Sequence, residues 1–209
     1  MKQSPWTRIA PLTLALLAGC GGTKTQIPPR IDLHNHEVLG IIEFSSSSKG
    51  DLAPFATQRF IESVRRDQGL VRILELGTQE DVMRDLGIER LDAQAYRKLG
   101  ERHGLTTIFT GELVVSDIRP SVRVGPSLSG MGVSADAEAT LTVRMAECAS
   151  GASIWSRSGS ATRRVGEVSV FGSRDMVFDA EDPDKAYGEL VDALIGQVTT
   201  DFRVSWARR

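Results

Sequence analysis

The alternating segment from Asp136 to Met145 constrains the fold more than any other part of the sequence. Every second residue in it is apolar, and the residues between are polar. Side chains of a β-strand point alternately to its two faces, so this pattern predicts a strand with one buried face and one solvent-facing face. Ala149-Ser150-Gly151 predicts a turn, and residues 152–162 return as the antiparallel partner. The fold must therefore contain a sheet that is covered on one face.

The segments around this hairpin carry strand patterns and helix patterns in alternation. Strands are predicted at 38–44, 70–76 and 105–118, helices at 52–68, 79–86, 93–103 and 183–202, and a loop at 119–134. Crossovers through helices make neighbouring strands parallel, whereas the hairpin is antiparallel. The predicted fold class is therefore α/β (α+β), a single mixed β-sheet with helices packed on it. A C-terminal β-hairpin is followed by a long helix.

The N-terminal segment has the charge and hydropathy order of a secretion signal. Lys2 and Arg8 precede an apolar run from Ile9 to Ala18, which ends in Leu17-Ala18-Gly19-Cys20. Ten helical residues reach only about 15 Å, against a hydrocarbon core of about 30 Å. The segment is thus predicted to be removed. A leucine three places before a cysteine, with two small residues between them, is typical of the processing site of bacterial lipoproteins.

Cys20 is the predicted lipidation site. We expect cleavage between Gly19 and Cys20, a diacyl thioether on Cys20 and a further fatty acyl chain, such as palmitate, on its new amino group. An ordinary signal peptide with a chance cysteine is the alternative. The predicted organisation is a signal peptide at 1–19, a lipidated N-terminus and flexible tether at 20–35, and a single periplasmic α/β domain at 36–209. Gly21, rather than an aspartate, follows the cysteine and favours the outer membrane, with the domain facing the periplasm.

The charge balance and the remaining cysteine limit the possible partners. The 209 residues include 25 Lys and Arg against 27 Asp and Glu, which gives a net charge of −2. The sequence therefore has no excess of positive charge that would attract the phosphate backbone of a nucleic acid. Nucleic acid is therefore not an expected partner. Once Cys20 carries lipid, Cys148 is left without an intrachain partner, and its place in an apolar alternating run favours a core position.

The stretch Asp32-Leu33-His34-Asn35-His36 resembles the first metal-binding motif of some metal-dependent hydrolases. Such sites need several further ligands, and the sequence offers only one more histidine, His103. The motif also precedes an apolar strand pattern, whereas hydrolase motifs follow a strand. We therefore predict no catalytic residues, no metal site and no cofactor. A tethered metal-dependent hydrolase using this stretch is the alternative hypothesis.

The glycine-rich segment 125–132 is a second candidate for ligand binding. A phosphate-binding loop ends in Gly-Lys-Ser/Thr and opens a helix, but Met131 stands in the place of the lysine and a strand pattern follows. A loop connecting two strands is the preferred interpretation. A small-ligand-binding module built on this loop is a third hypothesis.

Three segments resemble the lipoproteins related to the curli secretion channel. Gly104 to Gly111 resembles their Gly-Ala-Asp-hydrophobic-hydrophobic-x-Gly segment, and Ser150-Gly151 with Trp155-Ser156 matches their turn and return strand. The closing segment 186–202 resembles their terminal helix. The group includes lipoprotein activators of penicillin-binding proteins and a ring-forming lipoprotein of exopolysaccharide export.

This resemblance implies a lipid-tethered domain that acts through protein surfaces and forms a homo-oligomer in some members. Together with the N-terminal motif, it predicts a non-enzymatic lipoprotein that serves as an interaction or assembly factor for an envelope machine of cell-wall synthesis or export. The expected partners are the membrane, through acylated Cys20, and an unidentified envelope protein.

Overall fold

The computed structural model describes residues 24–122, 133–166, 168–171, 175–178 and 180–208. Over these residues the chain divides into two compact units. The large unit consists of residues 29–203, and the small unit takes in the stretches before and after it.

The large unit contains all four helices of the described residues. They are α1 Leu52–Gln68, α2 Gln79–Leu86, α3 Ala93–His103 and α4 Pro183–Val198. The strands of the described residues are β1 Lys24–Ile27, β2 Leu39–Ile41, β3 Ser45–Ser46, β4 Lys49–Gly50, β5 Ile73–Glu75, β6 Thr107–Val122, β7 Val133–Glu147, β8 Ser153–Gly166, β9 Val168–Phe171, β10 Asp175–Phe178 and β11 Ser205–Arg208.

The main sheet is mixed, as predicted. Its strand order is β5-β2-β6-β7-β8, and the short β3 also pairs with β6. Strand β2 runs parallel to both β5 and β6, whereas β6, β7 and β8 form an antiparallel meander. The predicted fold class is confirmed. Two small sheets accompany it, one of order β4-β10-β9 and one formed by β1 and β11.

The predicted helix boundaries follow from capping interactions that the sequence already contains. The Thr78 hydroxyl accepts a hydrogen bond from the Asp81 backbone N–H at the start of α2, as expected of a residue at this position. The Asp182 carboxylate accepts one from the Lys185 backbone N–H at the start of α4. Gly104 ends α3 in the left-handed conformation, with φ of 66°.

One face of the meander is covered by α1 and α4. Its apolar positions are completely buried at Leu113, Leu141 and Val143. Beside them lies a group of aromatic rings in edge-to-face contact, with centroid distances of 5.3 Å between Phe60 and Phe109 and 5.9 Å between Phe109 and Phe202. We call this side of the meander, which α1 and α4 cover, the covered face.

Two glycines let large groups approach the covered face. A Cβ at Gly111 would lie 2.4 Å from the Phe44 ring, so only glycine leaves room for that ring against β6. A Cβ at Gly159 would lie 2.8 Å from Cβ of Gln197, so glycine also allows α4 to pack closely on β8. Gly111 is the closing glycine of the segment that resembles the lipoprotein group, and the structure gives it a packing role.

The opposite side of the sheet is covered only in part, by α2 and α3. A smaller apolar cluster lies beneath these helices, including Ile42, Leu105 and Ile108 from the sheet side, with Val82 from α2 and Leu99 from α3. Beyond Ile108, the side chains that can be described on this side of the meander, at even-numbered positions of 110–116, 138–144 and 156–162, are exposed or half-buried.

The hairpin strands are longer than the sequence pattern predicts. Strands β6 and β7 stay paired as far as Val122 and Val133, so both ends of the predicted loop at 119–134 belong to the sheet. Backbone pairing along a neighbouring strand continues where the side-chain alternation no longer signals it, which is why this prediction is wrong at the ends. Strands β9 and β10 are also absent from the sequence-based assignment.

The packed part of the chain begins earlier than the predicted boundary at residue 36. Residues 29–35 belong to the large unit, and Leu33 in the 3-10 turn Leu33–Asn35 is completely buried. The proline-bearing composition of 20–35 suggested a tether because it carries no long periodic pattern. A single buried leucine held by partners distant in sequence gives no such pattern.

Candidate functional site: two solvent-facing surfaces

The predicted lipidation site, Cys20, lies outside the described residues, as does the glycine-rich segment 125–132. The first described residue, Lys24, begins β1. The helices of the described residues include no candidate for a membrane span.

The Asp32-x-His34-x-His36 stretch is engaged in local contacts. Asp32 Oδ1 accepts a hydrogen bond from the His34 backbone N–H and lies 3.0 Å from His34 Nδ1. The hydrogen bond from the His34 backbone, followed by that from its ring, lowers the pKa of Asp32. His36 Nδ1 lies 2.7 Å from Oγ1 of Thr107, at the start of β6. The stretch therefore fixes a turn against the sheet.

The three histidines do not come together with acidic residues in a metal-binding group. Within the described ranges, no cluster of three or more His, Cys, Asp or Glu residues could hold a metal ion. His103 lies exposed at the end of α3, beside Arg102, which donates to the backbone carbonyl of Asp85.

Cys148 lies in the smaller apolar cluster, as its sequence context predicted. It is 3% exposed, and burial followed by the charge of Glu147 raises the pKa of its thiol to about 11. The thiol is therefore protonated at neutral pH, which makes it a poor nucleophile. Its role is to fill the core.

The first solvent-facing surface is the side of the meander that points away from α1 and α4. We call it the open face and define it by the even-numbered residues of 110–116 in β6, 138–144 in β7 and 156–162 in β8. These side chains are exposed or half-buried. Cross-strand hydroxyl pairs join β7 to β8, with oxygen distances of 2.8 Å for Thr140 with Ser160 and 2.8 Å for Thr142 with Ser158.

The open face carries charges of both signs at fixed positions. Glu112, Glu138 and Arg144 are exposed there. At its end, Arg164 Nε lies 3.4 Å from Oδ1 of Asp136, across the β7–β8 pair. Because the residues are held in a paired, twisted sheet, the surface presents a rigid array of hydroxyl and charged groups. Such an array can form polar contacts with another macromolecule at little cost in side-chain ordering.

The outer edge of β8 borders the open face and is partly closed by α4. The amide of Gln197 accepts a hydrogen bond from the Ser160 backbone N–H at 3.3 Å and donates one to the Ser160 carbonyl at 2.9 Å. The side chain thus occupies the place where a neighbouring strand would pair. An edge strand blocked in its middle is a poor template for edge-to-edge association.

The two ends of the large unit are held side by side. The buried amide of Gln68 accepts from the Leu33 backbone N–H at 3.0 Å and donates to the carbonyls of Ile31 and Phe202. Asp201 accepts hydrogen bonds from Arg157 at 2.7 Å and from Trp155 Nε1 at 3.2 Å.

The pKa of Asp201 reflects these contacts. Burial by itself would raise it, but the hydrogen bonds from Arg157 and Trp155 bring it below the ordinary carboxyl value. Asp201 therefore stays ionised and ties β8 to the end of the unit.

The second solvent-facing surface belongs to the small unit. Strands β1 and β11 form an antiparallel ribbon in which Lys24 pairs with Arg208, Gln26 with Trp206 and Ile27 with Ser205. Trp206 is 62% exposed and Ile27 is 45% exposed. No strand was predicted for this ribbon, because its strands are short and lie far apart in the chain. The signal available was an apolar residue at alternate positions, Val204 and Trp206, after the last helix.

Comparison with known proteins yields no family model and no curated protein that matches the chain. Solved structures with some likeness include a PelC dodecamer from Paraburkholderia phytofirmans, at 13% identity and a TM-score of 0.44, covering 87% of this chain and 99% of that one. The LpoB C-terminal domain from Salmonella enterica matches at 12% identity and a TM-score of 0.39, covering 66% and 86%. A lipoprotein from Neisseria meningitidis matches at 14% identity and a TM-score of 0.36, covering 62% and 83%. All three scores are below 0.5, so the fold assignment rests on the strand order and helix packing described above.

Proposed function

We propose that this protein is a non-enzymatic lipoprotein of the bacterial envelope, anchored through acylated Cys20 to the outer membrane and facing the periplasm. It docks to another protein of an envelope machine, of cell-wall synthesis or export, and so keeps that protein at the membrane. The observation that carries the proposal is the sequence Leu17-Ala18-Gly19-Cys20 at the end of a short apolar segment.

Lipid anchoring gives the docking surface a physical advantage. Two or more acyl chains hold a protein at the bilayer far more firmly than one. Confinement to a surface raises the effective concentration of the domain near other membrane-bound proteins. A modest contact through the open face is then sufficient for association.

The open face supports a docking role through its rigidity and its mixed charges. Its hydroxyl pairs and the Arg164–Asp136 ion pair are set by the register of β7 and β8. Opposite charges at fixed positions select a complementary partner surface and steer encounter.

The anchoring part of the proposal is tested by mass spectrometry and fractionation. The mature N-terminus is expected to begin at Cys20 and to carry acyl chains, and a Cys20→Ala variant is expected to leave the membrane fraction. An unmodified N-terminal peptide that starts elsewhere would refute lipid anchoring.

The docking part is tested by site-specific crosslinking in cells. A photoreactive amino acid is placed at Ser158 on the open face and, as a matched control, at Lys98, an exposed residue of α3. We expect a discrete crosslinked envelope protein from position 158, absent from position 98 and lost in the Cys20→Ala background. Crosslinks of equal yield from both positions would contradict docking through the open face.

A further inference from the structure

The ribbon of β1 and β11 has a composition suited to a membrane surface. Three of the large exposed hydrophobic side chains of the described residues belong to this unit, namely Ile27, Val204 and Trp206. The sequence from 20 to 28 and from 204 to 209 contains Lys24, Arg208 and Arg209 and lacks acidic residues, although the whole chain is net negative. An amphipathic aromatic residue beside cations is favoured where a bilayer meets water.

Covalent geometry limits how far this ribbon can lie from the lipid anchor. Successive Cα atoms are about 3.8 Å apart, so Cα of Lys24 lies at most about 15 Å from Cα of Cys20. The headgroup region on each side of the hydrocarbon core is itself about 5 to 8 Å deep. With Cys20 acylated, β1 therefore begins within a short distance of the membrane surface.

Two cross-strand pairs of the ribbon contain the residues that bear on membrane contact. Gln26 and Trp206 are directly paired, and Lys24 and Arg208 are paired two residues further along the same strands. Because side chains alternate along a strand, Gln26 and Trp206 belong to one side of the ribbon. The sequence of the two strands adds Lys24 and Arg208 to this indole and contains no acidic residue, which matches an anionic lipid headgroup layer in both polarity and charge.

From these observations we propose that the β1–β11 ribbon is a second, non-covalent membrane contact, in which Trp206 enters the headgroup layer of a bilayer that contains anionic lipid. The proposal rests on the proposed function because it takes Cys20 to be the anchor. It adds that the small unit lies on the membrane, so that the chain leaves the bilayer through a paired ribbon instead of a free tether.

The test uses the mature lipidated protein, with its N-terminus checked by mass spectrometry, in vesicles of phosphatidylethanolamine and phosphatidylglycerol. Trp6 lies in the predicted signal peptide, so the mature chain holds Trp155 and Trp206. A Trp155→Phe variant leaves Trp206 as the reporter. We expect its emission to shift to shorter wavelength and to be quenched by lipids brominated near the headgroup.

A second variant controls for the possibility that the first one does not fold. Trp155 packs against Phe202 and donates to Asp201, so its replacement could unfold the large unit. Trp206→Phe keeps those contacts, and lipid quenching is expected to disappear in this variant while the emission of Trp155 remains. Vesicles of phosphatidylcholine alone should give weaker quenching of Trp206.

The outcomes separate the two proposals. Lipidated protein whose Trp206 is not quenched would overturn the membrane contact and leave lipid anchoring intact. A photoreactive group at position 206 that captures a protein instead of lipid would also overturn it. An unmodified Cys20 in the mass spectrum would instead refute the anchoring on which both proposals depend.

Discussion

The covered face and the open face belong to the same three strands, yet they differ in almost every physical property. On one side Leu113, Leu141 and Val143 are completely buried against α1, α4 and an aromatic group. On the other side the intervening residues form hydroxyl pairs and carry charges in solvent. The alternation of the sequence separates the two sets of side chains, and the helices make one set the core. Stability should therefore depend on the covered face, and the proposed docking to another protein on the open face.

The largest expected difference in the free energy of unfolding is between substitutions at two neighbouring residues of β7. Leu141→Ala removes a completely buried side chain and leaves a cavity, so it should lower the free energy of unfolding by about 2–5 kcal/mol. Thr142→Ala removes only a solvent-facing hydroxyl pair and should cost less than about 1 kcal/mol. Chemical denaturation of the two purified variants measures both values. Equal losses would contradict the division between the faces.

A smaller loss is expected when the covered face is overfilled. Gly111→Ala places a methyl group 2.4 Å from a carbon of the Phe44 ring, and the forced movement should cost about 1–3 kcal/mol. Gly196→Ala in α4 is the matched control, since a Cβ there meets nothing within 4 Å. The control should be neutral or stabilising by up to about 1 kcal/mol because alanine favours a helix. Thermal unfolding of both variants makes the comparison, and a stable Gly111→Ala protein would refute the packing role of this glycine.

The stabilising contribution of Asp201 is expected to depend on pH. The folded pKa of Asp201 is below its ordinary value, so its stabilising contribution is complete above the ordinary carboxyl pKa of about 3.9 and is lost as the pH falls through the lower folded value. Asp201→Asn should cost about 1–1.5 kcal/mol at neutral pH, because the amide oxygen still accepts the hydrogen bonds from Arg157 and Trp155 but no longer carries a charge. Denaturation curves of both proteins at several pH values should converge in acid, below about pH 4. A difference that stayed constant into strong acid would contradict this assignment.

The smallest effect on stability is expected for a substitution of Gln197, which should also change the self-association of the protein. Gln197→Ala removes the side chain that pairs with Ser160 at the edge of β8, at a cost below about 1 kcal/mol because the site is exposed. The opened edge should increase self-association, which light scattering at rising concentration measures. Gln58→Ala is the control, because this exposed amide bonds to the side chain of Glu75 and not to the backbone of a strand. Identical scattering from both variants would show that Gln197 does not protect the edge.

The sequence by itself determined the mixed α/β architecture, the two sets of alternating residues in β7, both ends of α2 and α3, and the start of α4. These features depend on local physics, namely the two-residue period of a strand, the helical period and capping residues such as Thr78 and Asp182. The core position of Cys148 was predicted from the same alternation.

Only the tertiary structure decided which face of the meander is left open, how far β6 and β7 continue, that Gln197 closes the edge of β8, and that β1 pairs with β11. Each of these depends on contacts between residues far apart in the chain, and a local pattern carries no information about which distant segment will supply the partner. Leu33 illustrates the reason. It is buried because Gln68 and the end of the large unit meet around it, although the residues next to it in the sequence have the composition of a tether.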